Sequence, residues 1–371
     1  MTLDHTRDFF IHAGYGSPTN LATTTPVYFF TRWITHFCAP TFVFLSGVSA
    51  YLASTRRSPG ELRAFLLKRG LWLILAEMFF MSFALTLNLQ FNMIVLLVLW
   101  AIGFSMILLA LLSHASLKVI AVVGCAIFFW HNILDFVQLP KTGAANFFIT
   151  MFLTASGAAF PLGKDRVLLD AYAVIPWTGV MLLGYVFGAM FRSSFDVGRR
   201  RYILRLTGLS LIILFVLLRY FNLYGDPSPW STQKTSVMSV VSFFNTTKSP
   251  PSLMYLCMTL GPVLVLLSLI ENVKSKFADV LIVYGNVPFV YYFTHIYLIR
   301  FFDIVVFFAT GHNTGQIAIP NQPFFFQPPD FGFSLPIVYL IWLLIVIMLY
   351  FPCRWYGNYK RTHQQWWLSY L

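Results

Sequence analysis

Apolar residues in this chain come in blocks of about twenty, with the polar residues gathered between them. A helix rises about 1.5 Å per residue, so about 20 apolar residues cross a bilayer. The pattern predicts spans over residues 28–53, 70–88, 92–112, 117–134, 171–191, 204–223, 252–270, 287–309 and 335–352. The second and third must be joined by a tight turn at Leu89-Gln90-Phe91. Tyr284-Gly285-Asn286-Val287-Pro288 breaks a stretch that would otherwise be one very long helix; Pro288 suits a first helical turn, leaving 278–285 as a short helix. The run Phe147 to Leu153 is too short to span and is expected in the interface or dipping into a site. Period-two alternation, the mark of a membrane barrel, is absent. No internal repeat is visible, which disfavours transporter folds built on repeats.

The fold class expected is therefore all-α, a polytopic integral membrane protein forming a single domain over residues 1–371. Composition agrees, since 58% hydrophobic and 10% charged residues exclude an ordinary soluble domain. No cleavable signal peptide opens the chain, which begins with polar Thr2, Asp4, His5, Arg7 and Asp8. Met1 to His5 reads as the outer end of a first span whose apolar inner half lies upstream, giving ten spans in the intact protein. The alternative is nine spans with a short outer N-terminus.

The net charge of +12 does not point to nucleic acid, because the basic residues sit in short runs beside apolar segments. Alternate loops, 54–69, 192–205, Lys118, Lys274 with Lys276, and the C-terminal tail, hold 16 of the 25 Lys and Arg residues. The opposite loops hold five: Lys141, Lys164, Arg166, Lys234 and Lys248. The positive-inside rule places the first set, with the C-terminus, in the cytoplasm of a cell membrane and residues 12–27 outside. The basic loops also suit an anionic cytosolic ligand or acidic lipid headgroups. The long outer loops, 135–170, 224–251 and 310–334, have the length of functional loops.

Inside the spans the ionisable residues are Arg32, His36, Glu77, His131, Arg219, His295, Arg300 and Asp303, with Asp4, His5, Arg7 and Asp8 on the N-terminal stub. Each needs a partner or water. Arg300 and Asp303, three apart, are expected to pair. Glu77 and Arg219 lack a local partner and suit a cross-helix ion pair or a catalytic role. Arg32 and His36, four apart, share one helix face with Thr35 beside them; they either brace the first helices or form a catalytic pair, the histidine accepting a proton and the guanidinium holding an anionic oxygen. Cys38 faces largely away from His36, which disfavours an acyl-thioester. The four cysteines make no metal spacing, and no phosphate loop or zinc signature is present, so no metal is expected.

Asp4-His5-Thr6-Arg7-Asp8-Phe9-Phe10, Leu21 to Pro26, Thr31-Arg32-Trp33 to Pro40 and Phe42 to Gly47 resemble the opening of the bacterial heparan-α-glucosaminide N-acetyltransferase-like family. The resemblance continues in Pro176-Trp177-Thr178-Gly179-Val180-Met181, Gly184-Tyr185, Asn245 to Leu253 and Tyr284 to His295, nearly the whole chain. It implies a membrane-embedded acyltransferase that moves an acetyl group from cytosolic acetyl-CoA to a sugar or other envelope acceptor across the membrane. A histidine in the outer loop after the first span and a polar residue at that span's outer end are the family's catalytic candidates; the matching positions are His12 and Asp4. The spacing between these two differs from the lysosomal members, and Arg32 with His36 follows the bacterial pattern. The catalytic candidates are thus His12, His36, Asp4 and Arg32, and the substrate-binding candidates His5, Arg7, Asp8, His295 and Asn286. Expected partners are the acyl-CoA donor, an envelope glycan or other small acceptor, membrane lipids and, as an open option, further copies of the chain. The rival reading is a small-molecule or proton-coupled transporter in which Arg32, His36 and His295 form a relay.

Overall fold

The computed structural model describes residues 1–140, 143–154, 158–163, 165–319 and 324–369. Lys141 and Lys164, counted above among the outer basic residues, lie outside them. The elements are α1 (Thr2–Phe10), α2 (Pro26–Trp33), α3 (Cys38–Ser54), α4 (Pro59–Ala76), α5 (Ser82–Thr86), β1 (Met93–Leu96), α6 (Val98–Leu112), α7 (Leu117–Trp130) and α8 (Gly143–Ile149). Then follow β2 (Ala158–Pro161), β3 (Val167–Asp170), α9 (Val174–Gly188), α10 (Val197–Phe221), α11 (Ser236–Phe244), α12 (Leu253–Ile270), α13 (Lys276–Gly285), α14 (Pro288–Ala309) and α15 (Leu335–Thr362). Among the described residues, seven helical stretches are long and apolar enough to cross a membrane, and the chain is an all-α polytopic membrane protein.

Local sequence sets the ends of these helices. Thr25, Ser58, Ser116, Asp196, Ser252 and Ser275 each accept a backbone N–H of the first turn they precede, and Ser58 with Glu61 completes a capping box. Pro26, Pro59 and Pro288 stand in first turns, where a missing N–H costs nothing.

The first predicted span is not one smooth helix. Residues 34–37 tighten into a 3₁₀ turn between α2 and α3. Pro40 explains it: it has no N–H for the carbonyl of His36, four residues earlier, and its ring crowds that carbonyl. The Tyr255 hydroxyl from α12 donates to the freed His36 oxygen at 2.8 Å. The predicted span 92–112 starts later than expected, because Met93–Leu96 is strand and helix begins at Val98. There the Glu77 carboxylate, from a π-helical turn after α4, accepts the N–H groups of Leu99 (2.7 Å) and Trp100 (3.3 Å). Glu77 thus acts as a cap supplied by a neighbouring helix.

The chain divides into two compact units. Unit 2 holds residues 36–79 and 94–271. Its helices meet at glycines: a Cβ on Gly47 of α3 would lie 2.1 Å from the carbonyl oxygen of Met181 on α9, and one on Gly184 would lie 2.0 Å from that of Phe44. Gly70 and Gly103 make the same close approach between α4 and α6, as do Gly208 and Gly261 between α10 and α12. A three-stranded sheet, ordered β1-β3-β2 with β2 and β3 antiparallel, closes over a core of Ile74, Leu96, Trp100, Met151, Leu168 and Val174. The predicted short run 147–153 is helical there, spanning the end of α8 and a π turn over 150–154. Arg219 of α10 is buried and donates to the carbonyls of Ser228, Ser242, Phe243 and Asn245, clamping the loop that follows it. His131 likewise lies between the carbonyls of Ile127 and Pro251.

Unit 1 holds residues 1–35, 80–93 and 272–371. Helix α1 packs against α14 and α15. Beyond its end the chain pairs with residues before α15: Phe333 N–H donates to Phe10 (2.8 Å) and His12 N–H donates to Phe333 (3.1 Å). Gly332 has φ +117°, and a Cβ there would sit 2.7 Å from the His12 backbone, so this approach needs glycine.

Candidate functional site

The polar residues predicted on the N-terminal stub gather inside unit 1. Asp4 pairs with Arg7 at 2.8 Å and with Arg32 of α2 at 2.5 Å, and Arg7 pairs with Asp8 at 2.5 Å. Asp4 and Arg7 are one helical turn apart, which puts them on one face of α1. Two acids and two bases form a neutral network that joins α1 to α2, and Arg32 also donates to Thr35 at 3.2 Å. Arg7 is buried, Asp4 and Arg32 are largely so, and Asp8 opens to the surface. In a low-dielectric setting four such charges are tolerable because they neutralise one another.

Three of the candidate histidines lie in unit 1. His5 meets His295 of α14 ring to ring at 5.3 Å, and His295 stacks on Tyr291 at 5.6 Å and 9°. The Tyr291 hydroxyl is 2.6 Å from Thr2 Oγ1. His295 Nδ1 lies 2.9 Å from the Tyr291 carbonyl, which can only accept, so Nδ1 carries the proton. His12 stands beyond the end of α1 and is exposed. Its Nδ1 accepts Gly14 N–H at 3.0 Å, so in the neutral ring the proton is on Nε2. A pocket of about 480 Å³ opens here, lined among others by His12, Tyr15, Thr23, Thr25, Tyr28 and Phe333. His5 lies within α1, whereas His12 follows its end at Phe10, past the extended Ile11.

The structure thus gathers Asp4, Arg7, Asp8 and Arg32, brings His5 to His295, and sets His12 apart at the pocket. Arg32 and His36, predicted as a pair, belong to different units with the 3₁₀ turn interrupting the helix between them. His36 is buried in unit 2 with its ring at 5.3 Å from that of Tyr255. Asn286 is exposed; its backbone N–H closes α13 on Ile282, which makes it a helix-end residue. Arg300 and Asp303 do pair, fully buried, with Arg300 also donating to the Phe325 carbonyl (2.7 Å) and Gln327 to Asp303 (2.9 Å). Sequence reasoning missed the part played by Gly332 and Phe333 in walling the His12 pocket. A glycine between two phenylalanines in the outer loop was the signal available.

A helical protein that crosses the membrane several times, with a neutral ionic cluster buried beside a histidine pair and an open histidine pocket, is the class this fold and these sites define. The family model for the catalytic part of heparan-α-glucosaminide N-acetyltransferase matches residues 16–220, more than half of the chain, and the protein belongs to that family. It is a membrane protein of the acyltransferase class. No curated protein and no solved structure matches it. Arg32 and His36 fall within the matched residues, whereas Asp4, His5, His12 and His295 fall outside them.

Proposed function

We propose that this protein is an integral membrane acetyltransferase that takes the acetyl group of acetyl-CoA and passes it to a sugar or other cell-envelope acceptor at the opposite face of a cell membrane. The family match over residues 16–220 carries this reading. The unit 1 site supports it in chemical terms. The pocket at His12 offers tyrosine faces and threonine hydroxyls to an acceptor, and with Nδ1 accepting Gly14 N–H the neutral His12 ring has an N–H at Nε2. The network of Asp4, Arg7, Asp8 and Arg32 fixes α1 against α2, and its residues can exchange a partner for a polar substrate group without leaving a lone buried charge. Arg57 lies over the Phe65 ring at 4.3 Å and Arg192 over that of Tyr51 at 4.9 Å. These guanidiniums, in loops expected on the cytoplasmic side, suit the phosphates of CoA.

The test is acetyl transfer by purified protein in lipid nanodiscs. Radiolabelled acetyl-CoA is supplied with a panel of amino sugars and envelope glycans, and acetylated product is measured. Product formation with release of free CoA thiol is expected. Uptake of an acceptor into proteoliposomes without acetyl-CoA, and no product with it, would replace this reading by the transporter one.

A further inference from the structure

We infer that Gly14 and Gly332 are positioning residues for acetyl transfer: together they set where the His12 imidazole stands in the pocket offered to the acceptor. The inference rests on the acetyltransferase reading above.

His12, Gly14 and Gly332 all line the pocket of about 480 Å³ in unit 1. The tyrosine, threonine and serine hydroxyls around it keep their protons near neutral pH, so among the described lining residues His12 is the group suited to exchanging one. His12 is exposed, and an exposed side chain keeps one orientation only where bonds and neighbours offset the entropy of fixing it.

Its backbone is set by the segment before α15. Phe333 N–H donates to the Phe10 carbonyl at 2.8 Å, and His12 N–H donates to the Phe333 carbonyl at 3.1 Å. The two stretches pair this closely only because residue 332 has no side chain. A Cβ there would lie 2.7 Å from both N and Cα of His12, and 2.8 Å from the carbonyl carbon of Ile11. All three are backbone atoms that cannot rotate aside, so a side chain at 332 displaces His12 as a whole. The ring is set within its own loop. Gly14 N–H donates to Nδ1 at 3.0 Å, and a Cβ on Gly14 would stand 3.1 Å from Nδ1 and 3.4 Å from Cε1. An alanine at 14 therefore pushes the ring away from the bond that orients it. With Nδ1 engaged, Nε2 is the ring nitrogen left for a ligand. Proton exchange needs heavy atoms about 2.6–3.2 Å apart. A misplacement of about 1 Å can cost about 10²-fold in rate, so contacts this close act on turnover as well as on folding.

The experiment follows thiol release from acetyl-CoA with the acceptor panel in nanodiscs, comparing wild type with Gly332→Ala, Gly14→Ala, Gly311→Ala and His12→Gln per folded molecule. Gly332→Ala should lose about 10²-fold in kcat with the KM for acetyl-CoA unchanged, and Gly14→Ala, where a side chain can yield, about tenfold. Gly311 controls for backbone strain alone, because its φ is +90° and a Cβ there meets nothing within 4 Å. Gly311→Ala should keep kcat within about threefold. His12→Gln should lose at least as much as Gly332→Ala, and adding Gly332→Ala to it should cost no further turnover, whereas general damage to the fold would still add. A second readout needs no acetyl transfer. Carbethoxylation of His12 by diethyl pyrocarbonate, followed by mass spectrometry, should be faster in Gly14→Ala and Gly332→Ala, whose rings leave the Gly14 bond, and unchanged in Gly311→Ala. Should Gly332→Ala fold poorly, Gly14→Ala decides by the same measures. The inference is overturned if Gly332→Ala and Gly14→Ala both keep kcat within about threefold, if their losses add to that of His12→Gln, or if carbethoxylation of His12 does not change. A wild type that releases no thiol with any acceptor removes the acetyltransferase reading itself, and the carbethoxylation rates then report separately on whether the two glycines hold His12.

Discussion

Asp170 closes β3 with a carboxyl that is 2% exposed; its Oδ1 accepts Tyr172 N–H at 3.0 Å. Burial pushes this carboxyl up from the ordinary 3.8 to about 6, although the Tyr172 bond works the other way. The folded state therefore holds its proton more tightly than the unfolded chain. Its contribution is fully present below pH 4 and is lost as pH rises through 6, a change on the order of 2–3 kcal/mol. Asp170→Asn should remove that slope between pH 4 and 6 and raise the melting temperature at pH 7.5; thermal melts of detergent-purified protein across pH 4–8 measure it. Arg300 and Asp303 pose a different problem, since both are buried and each needs the other. Arg300→Leu leaves Asp303 with only Gln327 and should cost about 3–5 kcal/mol, whereas Arg300→Leu combined with Asp303→Leu should recover much of that loss. Melting temperatures of the two variants against wild type decide it; equal losses would contradict the pairing argument. This pair could be predicted because three residues on a helix are neighbours. His5 and His295 could not, since their contact joins α1 to a helix almost three hundred residues away in sequence.

At the scale of elements, what was legible followed from apolar length. The long spans stand near their predicted positions because twenty apolar residues have few other options. What was not legible came from single residues acting against that pattern. Pro40 tightens the first span into a 3₁₀ turn, and Glu77 caps α6 and so delays the third. Four-residue strands such as β1 carry too little periodicity to separate from the helix that follows. The glycine contacts were readable in principle, since small residues in apolar helices mark close packing, but which glycine meets which helix is a tertiary fact. They yield a sharp expectation. A side chain at Gly184 would collide with Phe44 backbone at 2.0 Å, and backbone cannot step aside without parting α3 from α9. Gly184→Leu should therefore abolish or severely reduce the yield of folded protein, by the overpacking cost of several kcal/mol. Gly60, where a Cβ meets nothing within 4 Å, provides the control: Gly60→Ala should be neutral or about 0.5–1 kcal/mol stabilising. Fluorescence-detected size-exclusion chromatography of both variants makes the comparison.

For the whole molecule the open question is which way it faces. The charge pattern expects residues 12–27 and 310–334 on the same, outer side. Within unit 1 those two loops are hydrogen-bonded to each other, through His12 with Phe333 and through the Tyr15 hydroxyl, which accepts Leu335 N–H at 3.4 Å. Loops joined in this way cannot lie on opposite faces of a membrane, so the spans between them must bring the chain back an even number of times, as the predicted segments do. The charge pattern expects the basic loops on the other face, the one where the proposed acetyl-CoA donor would be met. Single cysteines test the sidedness in a background where exposed Cys125 is replaced by serine. Gly60→Cys and Lys274→Cys, both at exposed positions of the basic loops, should be protected from an impermeant maleimide in intact cells and react after lysis. Thr232→Cys, exposed in the loop after α10, should react without lysis. If Gly60→Cys labels in intact cells while Thr232→Cys does not, the orientation is inverted. The His12 pocket would then face the cytoplasm, and the acetyl group would have to travel in the opposite direction from the one proposed.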